Sequence, residues 1–573
     1  MKEDTTLRPL HQSYKVFDNL YAGEYPGDKN PTAAKEKIDA MLRFGVRHFI
    51  DLTEEGELRP YSHLLPADTT YTRFPIKDVG APDSVGKTLL LIDKITELTR
   101  RGGIVYIHSW GGVGRTGTIV SCYFTDYIGE SKYIDISAET VINRMRVCFR
   151  DMPKATYRQS PETDAQIQFI KKFVATYKEA KDESDRLRRD RIRGSLMAGA
   201  AGDALGYTVE FMKYKNIIAA YGYPGITRFE LTNQGKALIS DDTQMTLFTA
   251  NGMLMGITRG AIRGIGGAPE DYVSVAYQDW YYTQTGRKYF QGTKYTWLRD
   301  MPEMAHRRAP GITCLDACKA LGMHREVRNN SKGCGGIMRV APMGLFMAVH
   351  PLYSIDKIDE AGAEIAAVTH RHPLGFLPAA MLTHLLRQLV VTETEEIRSS
   401  IAKIALETIN CLDKIYAGEY DKEKRYLADL TRKAVALAAN GKTDKENIAT
   451  LGEGWVAEET WAIALYCAVR HIDSMRDAII ASVNHDGDSD STGSVCGNIM
   501  GAIYGYDAII DENLFCPADK KFKDTLELHD IILAMADDLH TVCILREFDY
   551  DSTPEKHRWY MRYCQMIPDG IAD

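Results

Sequence analysis

The chain has 573 residues, of which 45% are apolar and 26% charged, and its formal net charge is −8. At about 100–200 residues per domain this length predicts more than one domain. The composition excludes a disordered, collagen-like or coiled-coil chain, and the acidic balance lacks the basic field that non-specific nucleic-acid binding needs.

The cysteines indicate an intracellular protein. There are eleven, scattered without the paired spacing of a metal site. Cys314 and Cys318 lie close together, but no second pair follows them. An odd number spread over a long chain is typical of a reducing compartment. The first thirty residues lack an apolar signal core, and no apolar run approaches the ~18 residues of a membrane span. We expect a cytoplasmic protein without a membrane span.

Residues 1–182 are predicted to form an α/β domain. Short apolar runs at Val46–Thr53, Thr70–Ile76 and Gly103–Ser109 predict buried strands, and the spacing in Thr88–Arg100 predicts a helix. Strands that alternate with helices favour a parallel sheet.

A glycine-rich loop follows the last of these strands, in the sequence GIVYIHSWGGVGRTGT of residues 103–118. A helix begins after the loop, and backbone N–H groups at a helix N-terminus attract anions. The Arg115 guanidinium can bind two phosphate oxygens at once. The predicted phosphate-binding residues are Trp110, Gly111, Gly112, Val113, Gly114, Arg115 and Thr116.

The spacing of this loop resembles the signature of the tyrosine and dual-specificity phosphatases, which is His-Cys, five residues, Arg, then Ser/Thr-Gly. Here His108 and Ser109 are followed by five residues and then by Arg115. The segments NLYAGEYPG and FPIKDVGAPD also resemble that family, so the resemblance covers about residues 15–175. It implies that Asp78 is the general acid, with Asp83 as the second candidate.

Ser109 departs from the family pattern, which has a cysteine nucleophile at this position. A thiol pKa falls below neutrality at such a site, whereas a serine hydroxyl needs a positioned base, and none is evident in the sequence. We therefore expect phosphate binding with very slow turnover. Three explanations stay open: an experimental exchange of a native cysteine, a natural pseudophosphatase, or an unusual serine nucleophile with Ser109 and Arg115 in the catalytic roles.

Beyond residue 182 the strand signal almost disappears. The charged segment Lys178–Arg193 predicts a solvated helix that joins two domains, and residues 183–573 are predicted to be all-α. Apolar residues at helical spacing run from Ile401 to Ile415, and similar patterns recur in Thr460–His471 and His529–Arg546.

Three segments of this second half carry carboxylates among small residues: Gly194–Phe211, Ile239–Met245 and His485–Gly505. Carboxylates with adjacent hydroxyls suit Mg²⁺ or Mn²⁺, although the same residues also favour helix N-caps. A calcium loop is excluded, because Ser491 occupies its glycine position and Gly497 its bidentate glutamate position. The candidate metal ligands are Ser240, Asp241, Asp242, Asp488, Asp490 and Ser491.

Together these segments resemble the ADP-ribosylglycohydrolase family over about residues 188–510. The matching motifs occur in the family's order: GDALG with Glu210, SDDT, GCGGIMRVAPMG, THRHP, GEGWVAEE and GDSDSTG. The resemblance implies an all-α fold and a centre of two divalent cations, with Mg²⁺ first and Mn²⁺ as the alternative. It makes Glu210 the candidate general base. It also implies that ADP-ribose contacts Gly333, Cys334, Gly335, Gly336, His370 and His372.

The sequence thus predicts a bifunctional protein that hydrolyses an ADP-ribosyl glycosidic bond and carries a phosphatase domain inactivated by Ser109. In the alternative, the first domain is a phosphate-binding module that recruits the hydrolase to phosphorylated targets. The expected partners are an ADP-ribosylated protein or ADP-ribose derivative and a phosphorylated ligand. The acceptor of the ADP-ribose stays open, since it depends on loop shape.

Overall fold

The computed structural model describes residues 8–100, 102–129, 137–263, 267–286, 294–346, 355–392, 394–541, 559 and 562–563. The chain divides into two compact units, Met1–Asp185 and Arg186–Asp573. Each unit has its own hydrophobic core. The division and the predicted boundary near residue 182 both fall within one helix, α5, Asp164–Tyr207.

The N-terminal unit is built on a five-stranded sheet. Its strands are β1 (Ser13–Phe17), β2 (Leu20–Glu24), β3 (Val46–Asp51), β4 (Thr70–Arg73) and β5 (Ile104–Ser109). The order is β1-β2-β5-β3-β4, with an antiparallel β1–β2 pair and parallel pairs elsewhere. Its helices are α1 (Pro31–Phe44), α2 (Val85–Arg100), α3 (Gly114–Gly129), α4 (Ala138–Phe149) and the 3₁₀ turns Ser62–Leu64 and Pro153–Thr156.

The three predicted strands and the predicted helix over residues 88–100 are all present, so the predicted α/β fold class is confirmed. Because β2, β3 and β5 are parallel, their carboxyl ends lie at one edge of the sheet, where α/β proteins place ligands. The glycine-rich loop follows β5, the central strand, at that edge.

The C-terminal unit is helical, as predicted. Its shorter helices, of up to fourteen residues, are α6 (Tyr214–Tyr221), α9 (Ile312–Gly322), α10 (Ala341–Leu345), α11 (Ile355–Ala367), α15 (Asp444–Ile448), α16 (Ala457–Arg470), α17 (Met475–Val483), α19 (Phe522–Thr525) and α20 (His529–Thr541). The longer ones are α7 (Asp241–Arg263), α8 (Pro269–Thr285), α12 (Pro373–Val391), α13 (Thr394–Ile415), α14 (Asp421–Leu437) and α18 (Ser489–Asp511). The 3₁₀ turns are Trp297–Asp300, Pro302–Ala305 and Cys334–Arg339.

The predicted helical faces agree with the observed burial. Ile401, Ile404 and Leu412 are buried on α13, and the pattern over residues 460–471 falls on α16, whose last helical residue is Arg470. The predicted helix His529–Arg546 is present to Thr541, and its remaining residues lie outside the described part of the chain.

The predicted solvated helix Lys178–Arg193 is buried at two positions near its end, Arg191 and Ile192. Arg191 is buried and donates hydrogen bonds to the carbonyl oxygens of Leu389, Val390 and Thr392 at the end of α12. The last carbonyls of a helix have no partner inside the helix and carry partial negative charge, so a buried guanidinium is stable there.

Close packing of α5 against α18 brings two of the acidic segments together. A Cβ on Gly202 would lie 2.1 Å from the Gly493 carbonyl oxygen, and one on Gly497 would lie 2.1 Å from that of Ala198. Glycine at these positions lets the two backbones touch. This contact sets the distance between the acidic segments Gly194–Phe211 and His485–Gly505.

Gly202→Ala is expected to lower the stability of the C-terminal unit by about 1–3 kcal/mol, because the added methyl group overlaps backbone that cannot move alone. Thermal unfolding measures the change. Gly441→Ala is the matched control, since no heavy atom lies within 4 Å of its added Cβ. Equal melting temperatures for the two variants would contradict this account of the helix contact.

Among the described residues, α12 is long and apolar enough to cross a membrane by length and composition alone. The mean hydropathy of its most apolar window is 1.4, and 72% of that window is buried inside the fold. Core helices of water-soluble proteins have the same composition when they are buried on all sides. The absence of a membrane span therefore stays a prediction.

Candidate active sites

The glycine-rich loop of the N-terminal unit connects β5 to α3 through residues 110–113. Gly112 has φ of +70°, and a Cβ on it would lie 2.2 Å from the Gly23 backbone, so only glycine fits this position. Lys154 Nζ donates to the Gly111 carbonyl oxygen at 3.1 Å, and the Tyr25 N–H donates to that of Trp110 at 3.2 Å. Contacts to neighbouring segments thus hold the loop in shape.

Ser109 lies at the end of β5, at the base of this loop, and is buried. Its Oγ shares a hydrogen bond of 2.9 Å with Thr116 Oγ1. The preceding His108 faces other groups: its Nε2 is 2.6 Å from the Tyr61 hydroxyl and its Nδ1 is 3.8 Å from Asp51 Oδ1. The side chain that would be the nucleophile therefore has a hydroxyl partner and not a basic one.

Arg115 is buried on α3 with both terminal nitrogens directed at a carboxylate that the sequence did not single out. Nη1 and Nη2 donate to the two oxygens of Glu57 at 2.8 and 2.7 Å. Nη2 also lies 2.9 Å from Asp78 Oδ1. The hydrogen bond from Arg115 lowers the pKa of Glu57 although burial acts against it.

Asp78, the predicted general acid, is therefore next to the loop, while the second candidate Asp83 pairs with Lys87 on α2. The Asp78 segment is held by the start of α5. Gln166 Nε2 donates to the Gly80 carbonyl oxygen at 3.0 Å, and Thr163 Oγ1 to the Val79 carbonyl oxygen at 3.1 Å. As a candidate for the general acid, Asp78 is therefore better placed than Asp83.

His108 makes the N-terminal unit sensitive to acid. Burial lowers the pKa of its imidazole from 6.5 to about 4, although the nearby Asp51 carboxylate acts in the opposite direction. The unfolded chain then binds a proton that the folded chain does not, between pH 6.5 and about 4. The free energy of unfolding is expected to fall by up to about 3 kcal/mol as the pH drops through this window.

Calorimetry of the full chain between pH 7 and pH 4.5 tests this expectation. His108→Gln keeps a partner for Tyr61 and should flatten the pH dependence of the N-terminal transition. His11→Gln, at an exposed position, should leave it steep. The Asp51 carboxylate, whose pKa is lowered, also contributes stability that is lost in acid, but Asp51 is present in all three proteins. The same slope in His108→Gln and in the unaltered chain would contradict the assignment.

In the C-terminal unit, two helix N-termini present the predicted metal ligands. α7 begins at Asp241, directly after Ser240, and Asp488 caps α18 by accepting from the Ser491 N–H at 3.2 Å. Asp241 Oδ2 accepts from the Gly311 N–H at 3.2 Å.

The carboxylates of this centre lie close enough to raise one another's pKa. Burial and the charges of Asp203 and Asp488 raise the pKa of Asp241 to about 8, and burial with neighbouring carboxylates raises that of Glu210 to about 8. The pKa values of Asp242 and Asp490 also lie well above the ordinary value, because both are buried beside further carboxylates.

Two oxygen atoms of the centre have no hydrogen-bond partner although they are buried: Asp242 Oδ2 and Glu210 Oε2. Buried carboxylate oxygens without partners are costly unless a cation neutralises them. Carboxylate and hydroxyl oxygens are the ligands that Mg²⁺ and Mn²⁺ prefer. The predicted ligand set therefore fits a pair of such cations.

Asp203 has a role that the sequence left unassigned. It is fully buried and accepts hydrogen bonds from the Ser240 N–H at 3.0 Å and the Thr243 N–H at 3.1 Å. It thus fixes the turn that leads into α7. The sequence does mark Asp203, since it is one of only two acidic residues in the glycine- and alanine-rich segment Gly194–Phe211.

The predicted ADP-ribose loop adjoins this centre. Cys334 Sγ donates to Asp488 Oδ2 at 2.8 Å. A Cβ on Gly335 would lie 2.9 Å from His370, so the loop and that imidazole are in contact. His370 is buried and its pKa is lowered to about 3 by burial and by Arg339, so the ring is neutral.

His372 adjoins the same loop, because its N–H donates to the Ser331 carbonyl oxygen at 3.3 Å, and its ribose contact stays a prediction. Its Nδ1 accepts from the Leu374 N–H at 3.0 Å and so caps α12. Gly333 and Gly336 surround the same loop: a Cβ on Gly333 would meet His370 at 3.2 Å, and one on Gly336 the Gly375 carbonyl oxygen at 2.5 Å. Gly333–Gly336 and His370 are thus brought together, while His372 supports the helix.

Comparisons with known proteins agree with this division. Residues 28–170 match the family model "Swiss Army Knife protein, DSP-PTPase phosphatase domain", and residues 184–547 match the model "ADP-ribosylglycohydrolase". Both predicted family resemblances are confirmed.

Individual relatives match each half. The putative tyrosine phosphatase 067L of Invertebrate iridescent virus 3 is 27% identical over 29% of this chain and 66% of its own length. The ADP-ribosylhydrolase ARH3 of Homo sapiens is 27% identical over 31% of this chain and 52% of its own length. The ADP-ribosylhydrolase ARH1 of Dictyostelium discoideum is 24% identical over 57% of this chain and 90% of its own length.

The chain thus spans about half the length of ARH3 and 66% of the viral protein. The glycohydrolase model, by contrast, covers more than half of the present chain. This chain therefore belongs to the ADP-ribosylglycohydrolase family, with a phosphatase-like domain before the family's helical domain.

Proposed function

We propose that the C-terminal unit hydrolyses the glycosidic bond between ADP-ribose and its acceptor, using two divalent cations. The observation that carries this proposal is the buried group of carboxylates in which Asp242 and Glu210 keep unpartnered oxygens. Mg²⁺ is the expected ion and Mn²⁺ the alternative. The ligands would be Ser240, Asp241, Asp242, Asp488, Asp490 and Ser491.

When bound, the cations supply positive charge for the ribose hydroxyls and for the water that attacks the sugar. Glu210 is buried beside the ligands, with Oε2 unpartnered. Bound cations would offset the neighbouring carboxylate charges that raise its pKa, so that its carboxylate can accept the proton of that water as the anomeric bond breaks through an oxocarbenium-like state. The neutral His370 and the glycine loop border the same space, and we assign the diphosphate to the start of the 3₁₀ turn at Cys334, where N–H groups lack partners within the turn.

For the N-terminal unit we propose a phosphatase architecture that binds phosphate and turns it over very slowly. Ser109, with Thr116 as its partner, and Arg115, with Asp78 beside it, support this view. The second candidate function is a phosphate-binding module that directs the hydrolase to phosphorylated targets. The hydroxyl at position 109 is as compatible with this module as with a slow phosphatase. A cytoplasmic location remains part of the proposal, and the nine free cysteines of the described residues are in keeping with it.

Release of ADP-ribose tests the hydrolase. The full chain is incubated with Mg²⁺ or Mn²⁺ and with arginine-linked and serine-linked ADP-ribosyl protein, and with small ADP-ribose derivatives. Glu210→Gln is expected to slow release by about 10²–10⁴-fold, since it removes a general base. Glu230→Gln, an exposed acid on the same unit, should retain full activity. No release from any of these substrates, or full activity of Glu210→Gln, would refute the proposal.

A further inference from the structure

Three neighbouring helices bring a carboxylate, an imidazole and a thiol together, apart from the residues assigned to either candidate active site. Asp359 lies on α11, His384 on α12 and Cys411 on α13. His384 Nδ1 is 2.7 Å from Asp359 Oδ2 and 3.4 Å from Cys411 Sγ. One ligand atom from each residue lies within 4.8 Å of the other two.

The separation between sulfur and nitrogen suits a metal ion, whereas the 2.7 Å between Nδ1 and Asp359 Oδ2 is a hydrogen-bond distance that an ion would widen to about 3.3 Å. Zinc binds thiolate sulfur at about 2.3 Å and imidazole nitrogen at about 2.0–2.1 Å, so a tetrahedral ion holds the two atoms about 3.5 Å apart. The observed distance between Sγ and Nδ1 is 3.4 Å. Asp359 is fully buried, and its Oδ1 has no hydrogen-bond partner. The cluster therefore contains a buried oxygen that is free to bind.

We propose that Asp359, His384 and Cys411 bind one transition-metal ion of the zinc class. Thiolate and imidazole ligands select zinc over magnesium, whereas the oxygen-only centre around Asp241 selects magnesium. Cys411 is half-buried, so water can reach the fourth position. The negative charges of Asp359 and of the Cys411 thiolate balance the charge of the ion. The ion ties α11, α12 and α13 to one another.

Binding exchanges protons for the metal. Burial alone would lower the pKa of His384, but hydrogen bonds to Asp359 and Cys411 raise it to about 10, so the metal-free imidazole is protonated and paired with Asp359. Arg387 and Asp356 also act on Asp359, with opposite signs. Zinc binds the neutral imidazole and the thiolate, so binding of the ion displaces protons from its ligands. Affinity for the ion therefore rises with pH.

The test uses the full chain, stripped with a chelator and given Co²⁺ as a spectroscopic substitute for zinc. Excess Mg²⁺ keeps the oxygen centre occupied. We expect one Co²⁺ per chain, with a thiolate-to-cobalt charge-transfer band that Zn²⁺ removes. Cys411→Ser should abolish the band, and Asp359→Asn should weaken Co²⁺ binding by at least about tenfold.

Two other cysteines provide the controls. Cys148→Ser, at an equally half-buried site in the N-terminal unit, should keep the band. Cys334→Ser tests the thiol beside Asp488. No band in the unaltered chain, or a band lost with Cys334→Ser but kept with Cys411→Ser, would overturn the proposal.

If the Cys411 variant does not fold, proton release tests whether zinc binds to this cluster. Zn²⁺ uptake by the unaltered chain should be accompanied by measurable proton release at neutral pH. Uptake without proton release would mean that Asp359 and His384 are only a buried ion pair. Hydrolysis of ADP-ribosyl substrate in Mg²⁺ alone is measured in parallel. Its absence would count against the proposed function and leave the zinc result unaffected.

Discussion

Ser109→Cys is expected to turn the N-terminal unit into a working phosphatase. Release of phosphate from an aryl phosphate should rise by on the order of 10³-fold or more, because a thiolate replaces a hydroxyl that has no base. The site suits a thiolate: residue 109 is buried at the end of β5, its Oγ is 2.9 Å from the Thr116 hydroxyl, and Thr116 and Arg115 both lie in the first turn of α3. The rest of the phosphate loop is unchanged by the substitution.

The measurement compares phosphate release by the unaltered chain and by Ser109→Cys, on an aryl phosphate and on phosphorylated ADP-ribose. Adding Asp78→Asn should slow the cysteine variant, since Asp78 lies beside Arg115 in the position of the general acid. Asp83→Asn is the matched control, because Asp83 pairs with Lys87. A burst of product followed by turnover would support a bifunctional enzyme. Equal inactivity of the serine and cysteine chains would instead make the first unit a phosphate reader.

The phosphate loop could be predicted from sequence because its chemistry is local. Strand, glycines and Arg115 follow one another along the chain, so their spacing alone fixes which groups meet. Glu57 could not be predicted in this way. It lies in the connection between β3 and β4, without a motif, and reaches Arg115 only because β3 and β5 are adjacent in the sheet.

The acidic centre illustrates the same limit at longer range. Its segments carried enough carboxylates to be recognised separately, but their meeting depends on backbone contacts such as that of Gly202 with Gly493. The capping role of His372 was not foreseen, because nothing in the THRHP motif marks the hydrogen bond that its Nδ1 accepts from the Leu374 N–H at the start of α12.

The cluster of Asp359, His384 and Cys411 had no sequence signal. His384 is separated by 25 residues from Asp359 and by 27 from Cys411, far from the short spacings of known metal motifs. Only the packing of three consecutive helices brings the side chains together. Side chains on different elements are therefore the part of a site that a single sequence leaves undetermined.

The fusion of the two units has a chemical consequence if both act on one molecule. An ADP-ribosyl group that also carries a phosphate monoester presents a bond for each unit. Phosphate removal and glycosidic hydrolysis would then proceed on one chain without a second encounter. The prediction fails if the Ser109→Cys chain processes such a substrate no faster than a mixture of two chains, each inactivated in one unit.

Asp242→Asn is expected to abolish hydrolysis while stabilising the metal-free protein. Asp242 is buried among carboxylates, with Oδ2 unpartnered and its pKa far above the ordinary value. The neutral amide has nearly the same shape and avoids the cost of either burying the carboxylate charge or protonating it, which is worth about 1–3 kcal/mol without cations. With cations, the unaltered chain should gain about 2.7 kcal/mol at a hundred times the dissociation constant. The variant should gain much less.

Thermal unfolding in chelator and in Mg²⁺ measures both effects, and ADP-ribose release measures activity. Asp519→Asn, at an exposed position, should match the unaltered chain in all three assays. A melting temperature of Asp242→Asn that rises with Mg²⁺ as far as in the unaltered chain would show that the cations bind elsewhere. The acidic group would then be a set of helix caps, because caps lose stability on substitution by alanine but do not depend on Mg²⁺. The opposite response of stability and activity to one oxygen-to-nitrogen exchange therefore separates a metal centre from capped helix ends.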